Sequence, residues 1–187
     1  QNLFKVDLEE AKRIQKTYFY EYGTTLNGLM QRHGITPDEF LDYVHEIDVT
    51  PVDPHPELGT VINALPGRKA IYTNGTVKHA ENVLERLGIA DCFDGIFDIV
   101  AADFAPKPKL SGYQAALNHF GYKAQDSVMV EDIARNLVPA KELGLSTLYV
   151  PNDYAWAGPA AEKFKADEAH DAIDVVAPVL ADFLHSI

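Results

Sequence analysis

The chain predicts an α/β fold, a mostly parallel sheet with helices on both faces, preceded by a helical segment. Three observations lead there. Beyond residue 57, short apolar runs alternate with amphipathic stretches, several of them stopped by a glycine. Three polar clusters, Thr73-Asn74-Gly75, Lys107-Pro108 and Glu131-Asp132, each come after an apolar run. Residues before Asp48 show helical spacing only. Strands alternating with helices imply right-handed crossovers, and so a Rossmann-like layering with ligands at the carboxyl ends of the strands.

In the helical segment, Leu8, Ala11, Ile14, Tyr18 and Phe19 make one apolar face, which Gly23 interrupts. Leu26, Leu29 and Met30 start a second helix that Gly34 stops. Pro37 suits the first turn of a third, with Phe40, Leu41, Val44 and Ile47 as its apolar face. The run 51–57 carries three prolines and predicts a hinge, because proline fixes φ and removes a donor. The expected organisation is therefore a helical cap at 1–50, a hinge at 51–57 and an α/β core at 58–187.

Within the core, Leu58 to Leu65 reads as a helix, Lys69 to Tyr72 as a strand, and Val77 to Leu87 as a helix closed by Gly88. Phe97 to Ala102 reads as a strand and Tyr113 to Phe120 as a helix closed by Gly121. Val128 to Val130, Leu148 to Val150 and Ile173 to Val176 complete the strands. Helices are expected at Asn136 to Leu143 and Val179 to Leu184.

The 187 residues suit one domain with a small insert, and a formal charge of -12 excludes polymeric nucleic acid and anionic membrane as partners. A small phosphorylated substrate needs only local positive potential and stays open. The single cysteine, Cys92, precludes an internal disulfide and fits a reducing, cytoplasmic setting. No apolar stretch is long enough to span a bilayer. Nothing in the sequence sets an oligomeric state.

Each polar cluster has a chemical and a plain reading. Thr73 offers a hydroxyl, and Asn74 and Gly75 offer backbone amides at a strand end leading into a helix, which suits anionic oxygens; Asn-Gly is also ordinary turn chemistry. Lys107 is a point charge for the same oxygens. Glu131 and Asp132 suit a hard cation such as Mg²⁺, or else cap a helix. Their joint order along one sheet edge favours the chemical reading.

Those residues resemble the haloacid dehalogenase superfamily over essentially the whole chain. Its motifs are matched by Tyr72-Thr73-Asn74-Gly75, by Lys107-Pro108 and by Val130-Glu131-Asp132-Ile133-Ala134-Arg135-Asn136-Leu137. Ile133 stands where a serine is frequent, and Lys109 where an acidic residue is frequent. Glu21 to Met30, with Tyr43 to Asp48, is similar to the pyrimidine 5′-nucleotidases.

The resemblance implies a Mg²⁺-dependent phosphatase acting through an aspartyl-phosphate. Thr73 and Asn74 would bind the phosphoryl group, Lys107 would hold phosphate and nucleophile together, and Glu131 and Asp132 would serve the metal. Tyr22, Thr24, Thr25 and His45 are the candidates for substrate specificity. The family's Asp-x-Asp-x-Thr segment has no match here, and we expect it on a strand upstream of Gln1. Two other readings stay open: a sugar-phosphate phosphatase or phosphomutase, and a non-catalytic phosphate-binding module.

Overall fold

The computed structural model describes residues 4–37, 40, 47–152 and 170–187. The expected third helix falls largely outside them, as does His45. Two compact units divide the chain, Gln1–Ile47 and Asp48–Ile187.

In the first unit, helix α1 (Leu8–Tyr22) is capped by Asp7, whose carboxylate accepts from the Glu10 N–H at 2.9 Å. Helix α2 (Thr25–His33) is capped by Thr24 and ends on Gly34 in the left-handed region, φ 64°. The two helices pack where α2 carries Gly28. A Cβ there would lie 2.5 Å from the Tyr18 Cβ, so only glycine permits this approach. Leu26 and Leu29 are buried in the same unit.

The second unit opens with α3 (Pro56–Ala64), which begins inside the segment expected to be a hinge. Pro56 occupies the first helical turn, where its missing N–H costs no hydrogen bond. Residues 51–55 are turn, bend or irregular, so the helix takes only the last two residues of that segment. Strand β1 (Ile71–Tyr72) pairs in parallel with β2 (Ile96–Phe97), and between them runs α4 (Val77–Leu87), ended by Gly88 at φ 76°.

The strand expected through Ala102 stops at Phe97. Buried Asp98 turns the chain instead: its carboxylate accepts from the Ala101 N–H at 2.9 Å and from the Val77 N–H at 3.0 Å. A short polar side chain competing for nearby backbone donors overrides the apolar strand pattern.

Helix α5 (Leu110–Phe120) begins three residues before the predicted start. Lys109, at its N-cap position, makes no side-chain cap hydrogen bond, so the sequence holds no local start signal there. A second sheet follows, all parallel, in the order β3 (Val128–Glu131), β4 (Ser146–Tyr149), β5 (Val175–Val176). Helix α6 (Leu137–Glu142) connects β3 to β4, and α7 (Leu180–His185) closes the chain. The α/β, parallel, Rossmann-like expectation holds.

Apolar residues fill the space around both sheets. Ile62, Leu84, Ile89 and Cys92 form a buried group that also takes in Ile71 and Ile96. Phe97, Ala102 and Ala116 form another with Tyr72. Tyr72 also packs against a group of Tyr113, Ala140 and Leu145, which Met129 of β3 joins, so this group lies between the β1–β2 sheet and the β3–β4–β5 sheet. Val128 and Val130 of β3 are 63% and 44% exposed, so their face of the second sheet is open to solvent.

Gly112 of α5 lies against this joint. A Cβ there would stand 2.8 Å from the Ala105 carbonyl oxygen and would collide with the Tyr72 hydroxyl. We expect Gly112→Ala to destabilise the protein by about 1–3 kcal/mol, as overpacking of a filled core does. Urea unfolding of the two proteins measures it; equal midpoints would mean α5 shifts freely.

Candidate active site

The loops after β1, β2 and β3 converge, and they bring Thr73, Asn74, Lys107 and Glu131 into one hydrogen-bonded group. Thr73 follows β1, with its N–H bonded to the Phe97 carbonyl at 3.0 Å. Its hydroxyl oxygen accepts from the Gly75 N–H at 2.9 Å, so the Thr73 hydroxyl keeps its own proton to donate elsewhere. The same bond occupies the Gly75 N–H, which the sequence had offered to an anion. Thr76 then caps α4, its hydroxyl accepting from the His79 N–H at 3.3 Å.

Lys107 reaches across from the loop after β2. Its Nζ lies 2.5 Å from Oε2 of Glu131, with both side chains nearly buried, 13% and 6% exposed. The ammonium also sits 5.4 Å from the centre of the Tyr72 ring, within range of a cation–π contact. Lys107 is bound by its backbone as well. Its N–H donates to Asn74 Oδ1 at 2.7 Å, and its carbonyl accepts from Asn74 Nδ2 at 3.3 Å.

Glu131 ends β3, and its other oxygen accepts from the Ile133 N–H at 3.2 Å. Burial alone would push its carboxyl up, yet the charge and hydrogen bond of Lys107 and the Ile133 N–H hold it below the usual carboxylate range. Asp132 is pushed up, first by burial and then by the adjacent Glu131, with Asn152 partly offsetting both. The Asn152 amide donates to Asp132 Oδ2 at 3.3 Å.

An adjacent pair of acidic groups, one repelled by the other, is a donor set that a hard divalent cation would relieve. Glu131 and Asp132 fit two positions of such a cation. Among the described residues no group of three or more acidic, histidine or cysteine side chains could hold it alone.

Sequence reasoning missed three residues. Tyr72 packs beside the lysine, and Asp98 ties the first turn of α4 to the chain after β2. Asn152 supports Asp132 and does carry a readable signal, because it too is a polar residue just past a strand. The specificity candidates Tyr22, Thr24 and Thr25 belong to the first unit. Thr24 is buried and caps α2 through the Asn27 N–H at 3.0 Å. The Thr25 hydroxyl donates to the Gln15 carbonyl at 3.4 Å. The Tyr22 ring meets Tyr18 edge-on and has Arg32 5.9 Å above it.

A turn with a hydroxyl, a bridging lysine and an acidic pair sit at the carboxyl ends of parallel strands. Residues 6–144 match the family model described as "haloacid dehalogenase-like hydrolase". The chain belongs to that family.

Two curated relatives share part of this haloacid dehalogenase-like chain. Phosphate metabolism protein 8 of Saccharomyces cerevisiae is 28% identical over 83% of the chain and 55% of its own length. Glyceraldehyde 3-phosphate phosphatase of Methanocaldococcus jannaschii is 32% identical over 57% of the chain and 48% of its own length. The chain thus spans about half the length of the curated relatives it matches.

Among solved structures, the L-2-haloacid dehalogenase of Xanthobacter autotrophicus matches with a TM-score of 0.64 at 17% identity, over 94% of this chain and 83% of that one. A hydrolase of the family from Deinococcus radiodurans matches with a TM-score of 0.51 at 18% identity, over 89% and 77%. These likenesses are likenesses of fold. Among the described residues, no helix is long and apolar enough to cross a membrane.

Two outcomes follow for the metal-free protein. Glu131→Gln leaves Lys107 buried opposite a neutral group, and we expect a loss of about 3 kcal/mol in urea unfolding at neutral pH. Asp132→Asn removes the repelled charge. A carboxyl whose folded pKa is raised weakens folding once it ionises, so the variant should melt higher at pH 7. That advantage should vanish below the ordinary value of 3.8, where both side chains are neutral. Thermal melts at both pH values check the sign.

Proposed function

We propose that this haloacid dehalogenase-like hydrolase is a Mg²⁺-dependent phosphatase of nucleoside monophosphates, with pyrimidine 5′-nucleotides as its substrate class. The observation that carries the phosphatase reading is the Lys107–Glu131 pair, 2.5 Å apart beside the Thr73 turn. It places one cation, one hydroxyl donor and one carboxylate where a phosphoryl group's oxygens and a metal ion could share them.

In this reading the Thr73 hydroxyl and the Asn74 backbone N–H donate to phosphoryl oxygens, while Lys107 carries the charge that offsets them. Lys107 also holds the nucleophilic carboxylate against the phosphorus. Glu131 and Asp132 hold Mg²⁺, which when bound neutralises charge on the phosphate. The nucleophilic aspartate belongs to a segment outside this chain, upstream of it, on a strand between β1 and β3. Two features support that placement. Among the described residues β1 pairs only with β2 and β3 only with β4, so each has one unmatched edge. Their carboxyl ends nonetheless meet through Lys107 and Glu131.

The helical unit is proposed as a cap that selects the substrate, and the stretch Glu21 to Met30 is what favours a pyrimidine nucleotide. Tyr22, Thr24, Thr25 and His45 are its proposed specificity residues, of which Thr24 and Thr25 also bond within the unit. A second reading, a small sugar-phosphate substrate, is favoured by the 32% identity to glyceraldehyde 3-phosphate phosphatase.

The test is phosphate release by the parent polypeptide. Uridine and cytidine monophosphate are compared with glyceraldehyde 3-phosphate, with Mg²⁺ and with chelator. Preference for the nucleotides supports the first reading; preference for the triose phosphate replaces it with the second. Lys107→Ala should lower kcat by about a hundredfold or more, as loss of one charge-stabilising group does. No release from any ester, with phosphate still bound, would leave a binding module.

A further inference from the structure

Asn74 follows the hydroxyl residue in the phosphate turn, which makes its carboxamide an obvious candidate for touching phosphate. The geometry gives that side chain other work. Its Oδ1 accepts from the Lys107 N–H at 2.7 Å, and its Nδ2 donates to the Lys107 carbonyl at 3.3 Å. A primary amide bonded through both ends to one residue's N–H and C=O reproduces the pairing of two strands. Both polar atoms of Asn74 are therefore engaged by one backbone 33 residues away, with one Nδ2–H and one Oδ1 lone pair left over.

We infer that Asn74 is a positioning residue, whose side chain fixes the Lys107 backbone against the Thr73 turn and so sets where the ammonium meets phosphate. The inference rests on the phosphate-binding reading of this site. Lys107 needs such a restraint. A lysine has a flexible four-carbon stem, and an ammonium carries no directional fork of its own. Glu131 holds one end of the side chain and Tyr72 lies beneath it, but neither places the residue's backbone. The clamp does so, and it ties the lysine to the hydroxyl by the shortest path, since Thr73 and Asn74 are consecutive. Moving the turn would move the lysine with it.

The clamp predicts that Asn74 and Lys107 act as one unit. In a double-mutant cycle, groups that act through one another give non-additive losses, whereas independent contacts add. The probe is inorganic phosphate with Mg²⁺, titrated calorimetrically into the full chain and its variants. Lys107→Ala should weaken phosphate about tenfold or more, the scale of one charge-assisted hydrogen bond. Asn74→Ala should weaken it by a smaller factor, and the double variant no further than Lys107→Ala alone. Losses that multiply in the double variant would overturn the inference, because Asn74 would then touch phosphate itself. An Asn74→Ala variant with unchanged affinity would overturn it as well.

Amide hydrogen exchange separates the clamp from the reading beneath it. Asn74→Ala should unprotect the Lys107 amide while that of Ile71, bonded to Gly95 within the β1–β2 pair, stays protected. Asn74→Asp, which keeps the acceptor, should retain protection and stands in should the alanine variant not fold. Loss of Lys107 protection together with no effect of Lys107→Ala on phosphate would sink the phosphate reading and leave the clamp. Unchanged protection at Lys107 would sink the clamp.

Discussion

A lysine and a glutamate facing each other out of water constrain everything around them. Each charge alone would be expensive at the exposures of Lys107 and Glu131, 13% and 6%. Their attraction offsets that cost only while the geometry holds. The surroundings are arranged to hold it. The Ile133 N–H fixes the second Glu131 oxygen, the Tyr72 ring lies against the ammonium, and Asn74 grips the Lys107 backbone. Breaking either side would leave a buried charge without its partner.

The same locality joins the two sheets. Tyr72 ends β1, yet its ring meets Tyr113 of α5 edge-on, and both it and Met129 of β3 pack against the group of Tyr113, Ala140 and Leu145. The Tyr113 hydroxyl donates to the Asn136 carbonyl at 2.6 Å, beyond the acidic pair. Burial pushes the pKa of both tyrosines far up, so they remain neutral scaffolding beside the ion pair. Any displacement of α5 therefore reaches the site through a tyrosine ring. Asp98 plays the matching part on the other side, tying the first turn of α4 to the chain after β2.

Membership of the haloacid dehalogenase-like hydrolases and the site chemistry carry different information. Structural neighbours at 17–18% identity show that the parallel sheet and its crossovers persist while most side chains change. What narrows the chemistry is the set of groups at the strand ends. Here those groups are an acidic pair, a lysine and a hydroxyl.

Much of the architecture was written locally. The stops at Gly23, Gly34, Gly88 and Gly121, the helical face of Val77 to Leu87, and the apolar strand 128–130 follow from short-range periodicity and capping, whereas the strand expected at 148–150 runs from Ser146 to Tyr149. Thr73, Lys107 and Glu131 were legible as candidates because they stand after apolar runs. Where the sequence misled, a local signal had two outcomes: Pro56 started its helix two residues before the expected start, and Asp98 ended a strand that its apolar neighbours would have extended. Only the tertiary structure decided who meets whom. Lys107 and Glu131 are 24 residues apart and Asn74 and Lys107 are 33 apart, and no periodic pattern reaches that far. Packing around Tyr72 and Gly112 brings those residues together, because distant parts of a chain become neighbours only when a shared core is filled.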